Sequence, residues 1–394
     1  MMEAYIVGAC RTAIGKFNGT LAPLNAIDIG AEVVREIVAR TSIPAERVNE
    51  VILGNVIQAG LGQNPARQAA IKGGVPETVP SFTVNKVCGS GLKSVALAGQ
   101  SIAAGDNQVV IAGGMEHMTG APYLLKAHRW GQRLGHGEVT DSVVHDALWD
   151  KFYDYHMGNT AENIAEKHQI SRDEQDEFSA VSQQKTEQAI KDGKFKDEIV
   201  PIRIKQGRGE DIVFDTDEHP RYGTTIQALA KLKPSFKNDG TITAGNASGI
   251  NDGAAAVMVV SKAVLDELNP AWAFKILGAH SSALNPAFMG LGPISASQGL
   301  LARGLCSIND LDLIEVNEAF ASQSIQVHRE MGWDLGKVNV NGGAIALGHP
   351  VGASGTRILV TLLYELVRRD LSLGLASLCI GGGQGIAMIV ERVR

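Results

Sequence analysis

Two cysteines and a histidine stand in settings that suit acyl transfer. Cys88 lies in the segment Asn85-Lys86-Val87-Cys88-Gly89-Ser90-Gly91, between an apolar stretch and a run that reads as a helix. A thiol at a helix start faces unpaired N–H groups and the positive end of the macrodipole, which favour an anion. A free thiol has a pKa of ~8.5, so little thiolate exists at neutral pH. Lowering that value by about one and a half units takes roughly 2 kcal/mol. A helix terminus supplies ~0.3–1 kcal/mol, so a nearby base or cation has to be sought. Without such a partner, Cys88 reads more simply as a small buried side chain at a helix start.

His349 lies in a glycine-rich stretch from Asn341 to Gly355 and precedes Pro350. The proline holds its predecessor away from helical angles. A histidine on such a rigid turn suits proton transfer or oxyanion stabilisation. Of the other histidines, His168, His219 and His328 read as surface residues. Cys379 ends an apolar strand and precedes Ile380-Gly381-Gly382-Gly383-Gln384-Gly385. Strand C-terminal ends are where α/β folds place their sites, although a core cysteine would look the same. Asn317 and Glu318 follow the apolar stretch 311–316 and read by default as an N-cap and a first-turn acid.

The elements around these residues repeat. The stretches 4–10 and 51–57 read as buried strands. Between them lies a helix with Ile27, Ala31, Val34 and Val38 at helical spacing. A glycine-rich turn at Cys88–Gly91, a small-residue helix to about Ala104 and an apolar strand 109–112 ending in Gly113-Gly114 follow. From Gly348 the same order recurs: turn, helix, strand 376–380, glycine run. This predicts a duplicated α/β unit with a mostly parallel sheet covered on both faces. The middle, 119–248, is more charged. Its helices, including one opened by a capping box at Ser171 to Glu174, and its polar, loop-like stretch from Lys205 to Tyr222 suggest an inserted lid. The division predicted is 1–118 with 249–270, then 119–248, then 271–394.

Composition narrows the function. The chain has 394 residues, 44% apolar and 20% charged, the balance of a globular protein. A net charge of −6 without a dense basic block argues against nucleic acid. No apolar run approaches the ~18 residues of a membrane span. No signal peptide or targeting tail is legible, which predicts a cytoplasmic protein. Cys10, Cys88, Cys306 and Cys379 are widely spaced and form no CxxC pair, so neither a metal site nor a disulfide framework is expected.

Taken together, Cys88 with its glycines, the Asn-Glu-Ala-Phe segment 317–320, the stretch 342–355 around His349, the Cys379 segment 379–385 and the stretch Gly245–Ala254 resemble the thiolase family over essentially the whole chain. The resemblance implies two similar halves stacked as a five-layered α-β-α-β-α sandwich with an inserted loop domain, assembled as a homodimer or homotetramer. It implies a ping-pong acetyl-CoA C-acetyltransferase, condensing two acetyl-CoA into acetoacetyl-CoA and CoA, with no cofactor. His349 would take the proton of Cys88, and Cys379 would remove the α-proton of the second substrate. One oxyanion hole would be His349 with a water held by Asn317; the other would be the N–H groups of Cys88 and Gly381. Ser248 would contact pantetheine, Leu148, His156, Met157, Phe236, Ala319 and Phe320 would line its tunnel, and Arg221 would lie near the adenine. Tyr222 and Ala228 depart from the more polar residues of familiar members. A broad-range 3-ketoacyl-CoA thiolase of fatty-acid breakdown, a condensing enzyme acting on acyl-carrier protein and a non-catalytic acyl-CoA-binding scaffold are the alternatives.

Overall fold

The computed structural model describes residues 3–206 and 209–394. Nine strands build the main sheet: β1 (Ala4–Thr12), β2 (Glu50–Gly54), β3 (Ser81–Val84), β4 (Val109–His117), β5 (Asn251–Ser261), β6 (Phe274–Ala283), β7 (Leu313–Val316), β8 (Leu373–Ile380) and β9 (Gln384–Arg392). Their spatial order is β7-β8-β9-β6-β1-β5-β4-β2-β3. Among the described residues, the strands of the two halves pair with each other at one place, where Tyr5 and Ile6 meet Lys275 and Phe274. The path is thus two sheets joined at one short seam.

Helices α1 (Ala26–Thr41) and α2 (Pro65–Lys72) cover one outer face. Two helices lie between the sheets: α3 (Ser90–Ala104) and α8 (Ser354–Arg368). Leu92, Val95 and Ile102 from the first, and Ile358, Leu362 and Leu366 from the second, share one core with Ile6, Val110, Leu378 and Met388. The buried face of α8 wraps almost entirely around it, as expected for a helix enclosed by protein. The other outer face is covered by α6 (Gly292–Leu301) and α7 (Ala321–Met331), through Leu300 and Val327. The result is helix, sheet, helix, sheet, helix.

The sheet is mixed, not mostly parallel. Of the neighbours along this nine-strand path, β2–β3, β2–β4 and β7–β8 run parallel, and a short flanking strand, Ile199–Val200, pairs parallel with β1. Gly382 and Gly383, with φ of 83° and 79°, turn β8 back as a hairpin into β9. The return strand β5 enters antiparallel between β1 and β4. The glycine pair 113–114 also does not end its strand, which continues to His117. A Cβ on Gly114 would sit 2.0 Å from the Gly352 carbonyl, so this glycine makes room for the second half. The first stretch of 51–57 stops as a strand at Gly54.

Between β4 and β5 lie α4 (Met157–His168) and α5 (Arg172–Lys191), with the full capping box of Ser171 and Glu174. Ile199–Val200 leaves this insertion and pairs with β1, and Ile202–Ile204 pairs with Ile212–Phe214. The stretch 205–222 is therefore not all loop; residues 207 and 208 of it, like Met1 and Met2, lie outside the described residues. Two of the histidines expected at the surface are mostly covered. His328 packs on Phe178 and Trp333, and His219 on Gly249; burial lowers both to a pKa of about 4. Each lies on the inward side of a polar segment, where sequence polarity is a poor guide to burial. His168 is half-buried. Among the described residues, no helix is long and apolar enough to cross a membrane.

Candidate active site

Cys88 sits on a turn that is strained by construction. Val87, just before it, has a φ of 48°. A β-branched residue in this left-handed region is a true outlier, costing on the order of 1–3 kcal/mol. The turn is held by Ser90, whose hydroxyl accepts from the Lys86 N–H at 2.8 Å and donates to the Val87 carbonyl at 2.6 Å. Asn85 Oδ1 accepts the Val87 N–H at 3.0 Å. Lys86 Nζ donates to Gln384 Oε1 of the other half at 2.6 Å. Ser90→Ala should therefore slow acylation of Cys88 about tenfold, through a displaced sulfur. The melting temperature should fall too, because the part-buried Lys86 N–H loses its partner, while the Val87 carbonyl keeps the Ser90 N–H. Burst kinetics and thermal melts on one preparation check both.

The sulfur is not a resting anion. Burial raises the Cys88 pKa to about 11, despite the N–H groups of Gly381 and of Cys88 itself aimed at it. The helix start therefore loses to desolvation. Burial lowers His349 to a pKa of about 3, so its imidazole is neutral. Both shifts disfavour a resting thiolate–imidazolium pair. This fits a proton that leaves Cys88 as the sulfur attacks.

The neutral imidazole is oriented. Ser354 Oγ lies 2.5 Å from His349 Nδ1 and donates to the Pro350 carbonyl at 3.0 Å. With its proton spent there, the hydroxyl accepts from Nδ1–H, leaving Nε2 as the basic nitrogen. Asn251 Oδ1 accepts the His349 N–H at 2.9 Å. Gly348, at φ 103°, lies against that same side chain, where a Cβ would meet Asn251 at 2.5 Å.

Cys88, His349 and Gly381 share the wall of a cavity of about 250 Å³. Leu148, His156, Met157, Phe236, Ser248, Ala319 and Phe320 line it as well. Leu148 comes from a π-helical turn, Val143–Leu148, a form common at functional sites. His156 caps α4 and stacks on Phe236 at 4.7 Å. None of the lining residues carries a formal charge, so the cavity polarises a ligand through neutral donors.

Four of the residues singled out from the sequence are not on this wall. Cys379 is buried directly behind it with Met157, Met289 and Phe320. Burial, and then the charge on Cys88, push its thiol up strongly. Asn317 is fully buried, and neither its carboxamide oxygen nor its nitrogen has a protein partner. It is not a helix cap: α7 opens at Ala321, with Phe320 at its N-cap. Glu318 is not a first-turn acid either; it accepts from Ser182, Asn339 and the Ile345 N–H. Arg221 is exposed and does not line the cavity, and its N–H donates to Gln183. Met118, Met289, Ile250 and Val351 line the cavity without a sequence signal, since lone apolar residues read as core. Among the described residues, no group of three His, Cys, Asp or Glu is arranged to hold a metal ion.

Comparisons with known proteins bear on the family and the fold. The family model "Thiolase, N-terminal domain" matches residues 4–263, and "Thiolase, C-terminal domain" matches 271–392. The chain is 56% identical over 392 residues to the acetyl-CoA acetyltransferase of Pseudomonas aeruginosa, covering 100% of each chain. It is 53% identical to that of Cupriavidus necator, again over 100% of each. The crystal structure of the Bacillus anthracis acetyl-CoA acetyltransferase superposes with a TM-score of 0.97 at 44% identity, covering 100% of this chain and 99% of that one. With two family models spanning its length, duplicated halves and a Cys88–His349 site between them, this chain belongs to the thiolase family.

Proposed function

We propose that the protein is an acetyl-CoA C-acetyltransferase. It joins two acetyl-CoA into acetoacetyl-CoA and CoA, reversibly, through an acetyl-Cys88 intermediate. The observation that carries this reading is one small uncharged cavity that presents Cys88, a neutral His349 and the Gly381 N–H together. As the Cys88 sulfur bonds to the thioester carbon, its proton passes to His349 Nε2 and the carbon–sulfur bond to CoA breaks. The N–H groups of Cys88 and Gly381 stabilise the oxygen of the acetylated cysteine; one such donor typically contributes ~10²–10³ in rate.

Cys379 acts in the second half. Burial opposes a thiolate there in the free enzyme. Cys379, as the thiolate, removes the α-proton of the second acetyl-CoA; the carbanion bonds to the acetyl carbon, the bond from that carbon to the Cys88 sulfur breaks, and the proton passes from Cys379 to the released Cys88 sulfur. Asn317 holds a water that, with His349, polarises the second carbonyl; its unpaired buried carboxamide supports this role. Segment 119–248 serves as the lid, with Ser248, Leu148, His156, Met157, Phe236, Ala319 and Phe320 along the pantetheine arm and Arg221 toward the adenine. No cofactor takes part.

Cavity size supports a short acyl chain. At about 250 Å³, with Leu148, Met118, Met157 and Met289 on its walls, it falls just below the ~300–1,000 Å³ usual for ligand sites. Thiolysis of acetoacetyl-CoA should exceed that of an eight-carbon 3-ketoacyl-CoA by about 100-fold in kcat/KM. Equal rates would move the protein to the broad-range thiolases. Iodoacetamide labelling of Cys88 should be blocked by prior acetyl-CoA; a scaffold would form no stable acetyl adduct.

Unpaired thiols that must stay reduced support action in the cytoplasm. Exposed Tyr123, Trp130, Leu134 and Val139 form an apolar stretch that a further subunit would cover, which supports a homodimer or homotetramer.

A further inference from the structure

The two reacting groups proposed above come from different halves, and a buried carboxylate joins those halves. Glu116 is fully buried near the end of β4. Its oxygens accept from Asn55 Nδ2 at 2.8 Å, the Val56 N–H at 3.0 Å, the Ile57 N–H at 3.2 Å and the Gly352 N–H at 2.9 Å. Three of these donors belong to the loop after β2, in the first half. The fourth belongs to the turn His349-Pro350-Val351-Gly352, in the second. Among the described residues no lysine or arginine forms an ion pair with it.

The turn is pressed onto this carboxylate by design of the backbone. A Cβ on Gly352 would meet the Met115 carbonyl at 2.6 Å and Glu116 Oε2 at 2.7 Å. A Cβ on Gly54 would meet the Gly352 carbonyl at 2.8 Å. So Gly54 at the end of β2, Gly114 in β4 and Gly352 itself are cut back to let the turn seat. The loop after β2 also reaches the nucleophile: Val56, Ile57, Met118 and Val351 form one apolar cluster, against which Cys88 packs.

We propose that Glu116 is a positioning residue for this reaction: its carboxylate clamps the His349 turn of the second half to the loop of the first half that packs on Cys88. A carboxylate offers about four acceptor sites and no donor, which matches four converging donors. A glutamine at the same place turns an N–H₂ toward two of them. The inference rests on the reading of Cys88 and His349 as the reacting pair.

The test uses the full-length enzyme, with the CoA burst from acetyl-CoA normalised to folded protein. Glu116→Gln should slow the burst by about tenfold or more while the KM for acetyl-CoA stays within about twofold. Asn55→Ala removes a donor to the same carboxylate but leaves the bond to Gly352. It should lower the melting temperature and keep the burst rate within about threefold. A Glu116→Gln burst equal to the parent's, or equal slowing in both variants, overturns the proposal. Hydrogen exchange on the unmodified enzyme is independent of variant folding. The Gly352 amide should exchange as slowly as those of β4, and exchange at loop rates overturns the proposal. If the parent enzyme gives no burst, it is the assignment of Cys88 and His349 that fails instead.

Discussion

Cys379→Ala should release one CoA per site from acetyl-CoA at close to the parent rate, and then stop. Steady-state formation of acetoacetyl-CoA should fall by on the order of 10²–10⁴, the range for loss of a positioned proton-transfer group. The expectation follows from where the thiol sits. Cys379 is buried next to the cavity and is not among the residues lining the wall that presents Cys88 and His349. Its burial opposes its ionisation at rest. In the proposed mechanism it has no part in attacking the first thioester and acts only on the second substrate. Alanine in place of a buried cysteine leaves a small void, so the variant should fold. Mass spectrometry should find the acetyl group on Cys88 of the stalled enzyme. Loss of the burst together with turnover would reject the division of labour between the two cysteines.

His349→Ala should remove both halves of the reaction. The burst itself should slow by on the order of 10²–10⁴, because the Cys88 thiol, near 11, loses the base assigned to it, and the other histidine on the cavity wall, His156, is engaged in capping α4 and stacking on Phe236. Raising the pH should partly restore the burst, since more of the sulfur then ionises without help. The parent enzyme should gain much less over the same range. Stopped-flow measurement of CoA release from pH 7 to 9.5 separates the two. If the variant and the parent respond alike, His349 is not the group that accepts the thiol proton. Ser354 contributes only orientation, so Ser354→Ala should have the smaller effect of the two.

The residues with chemistry were largely legible because their constraints are local. A cysteine before glycines at a helix start, a histidine before proline in a glycine-rich turn and a cysteine before a glycine hairpin each announce a backbone that approaches something closely. The capping box at Ser171 was legible for the same reason, since its two bonds lie within four residues. Strand direction was not. Alternation of strand and helix points to parallel pairing, but the hairpin at Gly381–Gly383 and the late return of β5 make most pairings antiparallel. Nor was the burial of His219 and His328 legible, because it depends on partners such as Trp333 and Gly249 contributed by other segments.

The sequence by itself determined which side chains could carry an acyl group and move a proton, and that the chain is built from a repeated α/β unit. Both are written in residue type and short spacing. Only the tertiary structure decided the charge state of the pair. The sequence showed only that the helix start is too weak to ionise Cys88 by itself; in the fold burial goes further and holds it as a thiol and His349 as a neutral imidazole, because desolvation is set by everything packed around a group. The same holds for Glu116. In sequence it is one acid in an apolar strand; folded, it is the point where four donors from two halves converge.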